Sequence, residues 1–259
     1  MDLGIAGRTA LICGASRGMG RAIARQLACE GVEVTLVARR SGPLAEAAAA
    51  ISAETGRTPR IVAADITTEA GRAAALTGCP TPDILITNAD GPAPGDFREY
   101  TRADWIAALD ALMLAPIALI QATIDPMAAR GFGRVVNIVS RSVKIAQAEL
   151  VLSNGARSGL VGFTAGLSRE MARFGVTINN LLPGPFDTDA QRRHVEALAA
   201  RTGTPFQEVW DARLAANPSG RFGDPAEIGA YCAYLCSALG GFVTGQNLLI
   251  DGGAYPGTY

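Results

Sequence analysis

Gly14, Ser16, Gly18 and Gly20 cluster in Leu11-Ile-Cys-Gly-Ala-Ser-Arg-Gly-Met-Gly20, where an apolar run meets a helical pattern. Thr9–Cys13 is short, apolar and partly β-branched, as a buried parallel strand is, and residues 19–29 repeat apolar side chains at helical spacing. Glycines at such a junction let the backbone bend sharply and approach a pyrophosphate, whose charge the free N–H groups and positive dipole of a helix start would meet. The spacing is G-x-x-x-G-x-G, which departs from G-x-G-x-x-G. A tight strand-to-helix turn needs glycine even without a ligand, so both readings of the turn stay open here. A second strand, 32–38, ends at Arg39 and Arg40. In dinucleotide folds this end carries an acidic residue for a ribose 2′-hydroxyl or an arginine for a 2′-phosphate. Arg39, with Arg17 inside the turn, favours NADP over NAD; the competing reading is a pair of solvated loop charges.

These residues need a scaffold, and its outline follows from the rest of the chain. After the second strand, Ser41-Gly-Pro43 reads as a helix start with proline in the first turn, and the alanine-rich 44–54 as the helix. Strands follow at 60–64, closed by Asp65, and at 83–87, which leads into a glycine- and proline-rich loop from Asn88 to Gly95. Residues 101–130 read as a long helical region interrupted at Pro116 and Pro126, then a strand at 134–139 ends at Ser140. Residues 150–174 are helical, 176–181 form a sixth strand running into Pro183 and Gly184, 225–237 are helical, and Asn247–Ile250 is the last strand. The alternation predicts one α/β domain, 1–259, a doubly wound parallel sheet of Rossmann type with helices on both faces and its ligand site at the carboxyl ends of the strands. The helical, polar stretch 187–216 suits a lid over that site.

Bulk composition narrows the classes. The 259 residues are enough for an ample core, 49% are hydrophobic, and the net charge is −1, which argues against a nucleic-acid partner. The longest apolar run, 111–120, is too short to span a bilayer and no basic leader precedes it, so no membrane partner and a cytoplasmic location are expected. Cys13, Cys29, Cys79, Cys232 and Cys236 show no metal-ligand spacing and read as reduced, mostly buried thiols.

Taken together, Gly14-x-x-x-Gly18-x-Gly20, Asp65, Asn88-Ala89, Ser140, Pro183-Gly184 with Thr188, and Asp251-Gly-Gly253 resemble the short-chain dehydrogenase/reductase family across essentially the whole chain. The resemblance implies that Gly14, Ser16, Arg17, Gly18, Met19 and Gly20 meet the pyrophosphate of NADP(H), that Asp65 and Ile66 lie at the adenine, and that Asn88 flanks the cofactor. It places Pro183, Gly184 and Thr188 at the nicotinamide carboxamide. Cys13 stands for the family's usual threonine, and Asp90 for the glycine that closes its Asn-Asn-Ala-Gly motif, which adds a negative charge near a polyanion.

The departure at the reaction centre is larger. The family's reductases use a serine, a tyrosine thirteen residues later and a lysine four beyond that; counting from Ser140 reaches Ser153 and Arg157. An aliphatic hydroxyl titrates near water's ~15.7 and not near tyrosine's ~10, so serine is a poor proton donor. Arg157 keeps the positive charge and a bond to the cofactor ribose but hardly deprotonates. Leu112 falls where the family has an asparagine that serves a water relay. The segments around Ser140 and Ser153 resemble a divergent branch, like 3-oxoacyl-carrier-protein reductases, with serine and arginine at these positions.

The only lysine, Lys144, follows Ser140 by four residues. Desolvated beside the substrate, it would have a lowered pKa and give the proton while Ser140 holds the carbonyl oxygen; the competing reading is a solvated loop charge. The expected function is an NADP-dependent oxidoreductase acting on a small carbonyl or secondary alcohol, with Ser140, Lys144, Ser153 and Arg157 as candidate catalytic residues and no metal. A catalytically silent NADP-binding sensor or subunit, and a non-redox lyase using Lys144, are the alternatives. The resemblance also implies a homotetramer built from the long helices and the C-terminal strand region. His194 is expected as an exposed lid residue, Trp105 and Trp210 as core or subunit packing, and Tyr255 or Tyr259 as a remoter candidate acid from the tail.

Overall fold

The computed structural model describes residues 1–258, and its centre is a seven-stranded, wholly parallel sheet. The strands are β1 (Thr9–Cys13), β2 (Glu33–Ala38), β3 (Arg60–Ala63), β4 (Ile84–Thr87), β5 (Gly133–Ile138), β6 (Val176–Pro183) and β7 (Asn247–Ile250), in the order β3-β2-β1-β4-β5-β6-β7. The order reverses between β1 and β4, which opens a crevice at their carboxyl ends. Because side chains alternate along a strand, β1 sends Ala10 and Ile12 to one face and Leu11 and Cys13 to the other.

The first face packs α1 (Gly18–Cys29), α2 (Ser41–Thr55) and α9 (Pro225–Cys236) through Ile23, Leu27, Leu44, Ile51 and Ile228. The second packs α3 (Glu69–Gly78), α5 (Ala115–Ala129) and α6 (Val151–Met171) through Ala75, Leu119, Met127 and Met171. The helix α3 has no counterpart in the sequence reading. Its apolar positions are alanines too small to mark a stripe, and its one clear signal is Thr68, whose hydroxyl caps it by accepting from Gly71 N at 3.0 Å.

The stretch from 102 to 129 is not broken at Pro116 and Pro126 as expected. Pro116 lies in the first turn of α5, where its missing N–H is harmless, and α5 runs on through Pro126. The irregularity is a π-helical turn, Asp110–Leu114, between α4 (Arg102–Leu109) and α5. By length and mean hydropathy of 1.8 this stretch passes as a membrane span, yet Leu112, Leu119, Ile120 and Met127 are buried in the core of this fold. The remaining helices, α7 (Asp189–Thr202) and α8 (Phe206–Ala215), stand on a small cluster of their own, Val195, Ala199 and Val209, with Trp210 stacked on Phe206. All five cysteines are free, and only Cys29 is exposed.

A row of polar side chains crosses the sheet below the crevice. Thr87, Asn137, Asn180 and Asn247 are register partners on β4 to β7. Thr87 Oγ1 donates to Asn137 Oδ1 at 2.6 Å, Asn137 Nδ2 to Asn180 Oδ1 at 2.9 Å, and Asn180 Nδ2 to Asn247 Oδ1 at 2.8 Å. Buried amides left unmatched are costly, so this row fixes the register of the strands that end at the site.

Candidate active site

At the end of β1 the chain turns through Gly14 (φ +62°) and Gly18 (φ +55°), a backbone region that side chains rarely adopt. Ala15 N donates to Val37 O, and Asn88 Nδ2 lies 3.4 Å from Gly14 O, so β2 and the loop after β4 hold the turn. The helix α1 then opens without a side-chain cap and with no acidic residue in its first turn, leaving its leading N–H groups free for an anion. A Cβ on Gly20 would sit 2.3 Å from Gly14 O, so Gly20 also lets α1 pack against the turn.

A cavity of about 870 Å³ runs along this edge. Ser16, Arg17, Met19, Arg39, Asp65 and Ile66 border one end, Asn88 and Thr188 the middle, and Ser140, Arg157, Pro183 and Gly184 the other. Asp65 Oδ1 accepts from Thr67 N at 3.0 Å and Thr67 Oγ1 at 2.8 Å, which holds its carboxyl below the usual range, with Arg39 adding a smaller pull. Arg39 is exposed on the wall, whereas Arg17 is engaged elsewhere: its Nη2 is 3.1 Å from Asp90 Oδ2. The same oxygen receives Arg193 Nη2 at 3.4 Å. Asp90 therefore ties the glycine turn, the loop after β4 and α7 together across the cavity mouth.

At the far end, Arg157 is buried beneath the crevice. Its Nη1 donates to the carbonyl oxygens of Ile138, at 3.0 Å, and Val139, its Nη2 to Ala89 O at 3.3 Å, and its Nε to Ser153 Oγ at 3.0 Å. Burial lowers its pKa to about 10, with Asp90 pulling the other way, so the guanidinium stays charged at neutral pH without a carboxylate bonded to it. Ser153 is buried as well, and a Cβ on Gly91 of the cavity wall would lie 3.9 Å from its hydroxyl oxygen. Ser140 Oγ accepts from Ser142 N at 3.1 Å, which leaves its proton for another acceptor.

Lys144 is not desolvated, contrary to the condition its expected role required. It is exposed, absent from the cavity wall, and its Nζ lies 5.4 Å from the centre of the Tyr255 ring. Tyr255 is tied to its own chain, its N donating to Asp251 Oδ2 at 3.0 Å, and does not line the cavity; Tyr259 lies outside the described residues. His194 is half-buried, not exposed, and burial together with the Arg213 charge pushes its pKa down to about 4. Leu112 is buried in the π-helical turn, whose Asp110 and Ala111 reach the cavity. Trp210 packs edge-on against Phe222 in the α7–α8 cluster, while Trp105 is partly exposed against Gly155.

A parallel sheet whose order reverses beside a glycine turn, with one cavity along its carboxyl edge, defines a doubly wound α/β protein of Rossmann type. A family model described as enoyl-(acyl carrier protein) reductase matches residues 14–255. Acetoacetyl-CoA reductase of Cupriavidus necator is 38% identical over 175 residues, 68% of this chain and 67% of that protein. The 3-oxoacyl-acyl-carrier-protein reductase of Vibrio harveyi is 30% identical over 257 residues, 98% of this chain and 99% of that protein. Among solved structures, L-sorbose reductase from Gluconobacter frateurii, complexed with NADPH and L-sorbose, superposes with a TM-score of 0.92 at 27% identity, covering 99% of this chain and all of that one. The chain belongs to the short-chain dehydrogenase/reductase family.

Proposed function

We propose that this chain is an NADP-dependent oxidoreductase that interconverts a small carbonyl compound and its secondary alcohol, using a serine–arginine pair in place of the family's tyrosine and lysine. The observation that supports it most is one continuous cavity running from Arg39 and Asp65, past the glycine turn, to Ser140 and Arg157. The residues present fit the cofactor: the bare start of α1 suits the pyrophosphate, and Arg39, without a hydrogen-bonded partner of its own, suits a 2′-phosphate. L-sorbose reductase, a structural neighbour, was solved with NADPH. When bound, NADPH supplies a hydride to the carbonyl carbon.

The chain's residues then serve the oxygen, which must gain a proton as the new C–H bond forms. Ser140 donates to that oxygen and orients it. Arg157 sets a fixed positive charge under the developing alkoxide in a water-poor site. Its Nε bond to Ser153 Oγ polarises the Ser153 hydroxyl toward donation, and the proton given up is replaced from water. Lys144 has no part in this, because it is exposed and apart from the cavity; the lyase reading, which needs Lys144, loses its support with it.

A second reading is favoured by one observation. Three of the Arg157 contacts go to main-chain carbonyls, as in a purely structural clamp, and this suits a silent NADP-binding subunit. Titration of the protein with NADPH and NADH by fluorescence, followed by a carbonyl panel scored by loss of nicotinamide absorbance, separates the two. Tight NADPH binding with turnover supports the enzyme; binding with no turnover on any carbonyl supports the silent subunit.

We further propose one domain over 1–259 with α7–α8 as its lid, a cytoplasmic location and a homotetramer. Free thiols suit a reducing compartment. Two exposed apolar faces suit the two interfaces of a dihedral assembly: Trp105, Ile106 and Leu114 on α4–α5, and Tyr234, Leu239 and Phe242 beside β7.

A further inference from the structure

The lid helix α7 starts against the glycine turn. Its cap, Thr188 Oγ1, accepts from Gln191 N at 3.2 Å, and a Cβ on Gly18 would lie 3.5 Å from the Thr188 methyl carbon. Val195 and Ala199 then pack α7 on the small cluster it shares with α8, apart from the main core. On its second turn α7 carries Arg193, which borders the same cavity as Ser16, Gly18 and Thr188. The Arg193 side chain bonds to one group among the described residues: its Nη2 lies 3.4 Å from Asp90 Oδ2, the oxygen that also receives Arg17 Nη2 at 3.1 Å.

Asp90 divides one charge between two guanidiniums, so neither is fully matched. The three side chains are 36% to 50% exposed, and ion pairs open to water contribute little. A pyrophosphate brings more charge and more acceptor oxygens than one carboxylate, and a guanidinium meets phosphate oxygens through paired, charge-assisted bonds. Arg193 therefore has a better partner than Asp90 whenever a pyrophosphate occupies the turn.

We infer that Arg193 is a ligand of the cofactor's pyrophosphate, held by Asp90 until the cofactor arrives, and that its transfer ties α7 to the bound nucleotide. The inference rests on the reading of the glycine turn as the pyrophosphate site. Asp90 acts as a stand-in anion: it keeps Arg193 beside Arg17 and the turn in the empty protein, and the bond given up is weak because water already competes for it. The pyrophosphate is common to NADPH and NADH, so Arg193 serves both, whereas Arg39 would act on a 2′-phosphate alone.

Stopped-flow fluorescence of NADPH and NADH with wild type, Arg193→Met, Asp90→Asn and the double variant tests this through association and release rates. A charged hydrogen bond to the bound cofactor is lost in Arg193→Met, so release of both nucleotides is expected to quicken by about tenfold, while Asp90→Asn binds more tightly than wild type. Two residues that only stabilise each other would shift affinity in the same direction, and the second substitution would add nothing to the first. Opposite shifts are expected instead, with the cost of Arg193→Met retained in the Asp90→Asn background. Should Arg193→Met fail to fold, Arg193→Gln carries the same test. Release from the Arg193 variant within twofold of wild type, or a loss for NADPH alone, overturns the inference and leaves the cofactor reading standing. A cost that vanishes in the Asp90→Asn background overturns it as well. Failure of wild type to bind either nucleotide overturns both the inference and the cofactor reading.

Discussion

The walls at the glycine-turn end of the cavity are built largely on backbone: the turn from Gly14 to Gly18, the bare start of α1, and a loop whose Asn88 lies against Gly14 O. At the Ser140 end they are side chains that follow β5 or sit on α6 and α7, such as Arg157, whose guanidinium bonds Ser153 Oγ as well as three main-chain carbonyls. The first construction tolerates little change, because a glycine's replacement collides with main chain. The second allows the reacting groups to be exchanged while the scaffold stays, and serine and arginine stand there where the resemblance leads one to expect tyrosine and lysine.

Substitutions at the two ends should therefore differ in kind. Gly20→Val places a side chain against Gly14 O, and overpacking typically costs ~1–3 kcal/mol, so NADPH affinity is expected to fall by about 10²-fold with a lower Tm, read by fluorescence titration and calorimetry. Retained affinity would mean that the turn is slack and the contrast between the two ends false. Ser153→Ala leaves Arg157 Nε without its acceptor and removes the polarised hydroxyl; kcat is expected to drop by about 10- to 100-fold at unchanged NADPH affinity.

Asp90→Asn removes a carboxylate that holds Arg17 and Arg193, both partly exposed. Exposed pairs contribute only ~0.2–1 kcal/mol, so freeing two arginines for a polyanion should tighten NADPH by about two- to fivefold, an effect that added salt erases.

The smallest effect concerns stability against pH. His194 has a folded pKa near 4, below its usual 6.5, so the unfolded chain binds the proton first and stability falls as pH drops from about 6.5 to 4. His194→Gln should flatten that part of the Tm profile.

Strand positions were legible because apolar runs of the right length sit between glycines and acids, and Thr9–Cys13 and Asn247–Ile250 coincide with observed strands. The glycine turn was legible in place, but the packing duty of Gly20 depends on a distance that no spacing encodes. Two elements escaped for physical reasons: α3 carries alanines where a stripe would show, and the π-helical turn at Asp110–Leu114 differs from an α-helix only in hydrogen-bond register. The asparagines inside β5 and β6 were a visible signal of the buried polar row. Chemistry singles out a lone lysine near Ser140, but no spacing encodes the exposure of Lys144 or its place beside the Tyr255 ring.

The central claim is that carbonyl reduction here runs on the buried Arg157 charge and not on Lys144. Carbonyl-dependent NADPH oxidation by wild type, Arg157→Met and Lys144→Ala, each with its NADPH affinity measured alongside, tests it most directly. Loss of a preorganised donor at a developing oxyanion typically costs about 10²- to 10³-fold, so Arg157→Met should lose that much in kcat while Lys144→Ala stays within about threefold of wild type. A tenfold or larger loss in Lys144→Ala at unchanged NADPH affinity, with Arg157→Met still active, would contradict the account.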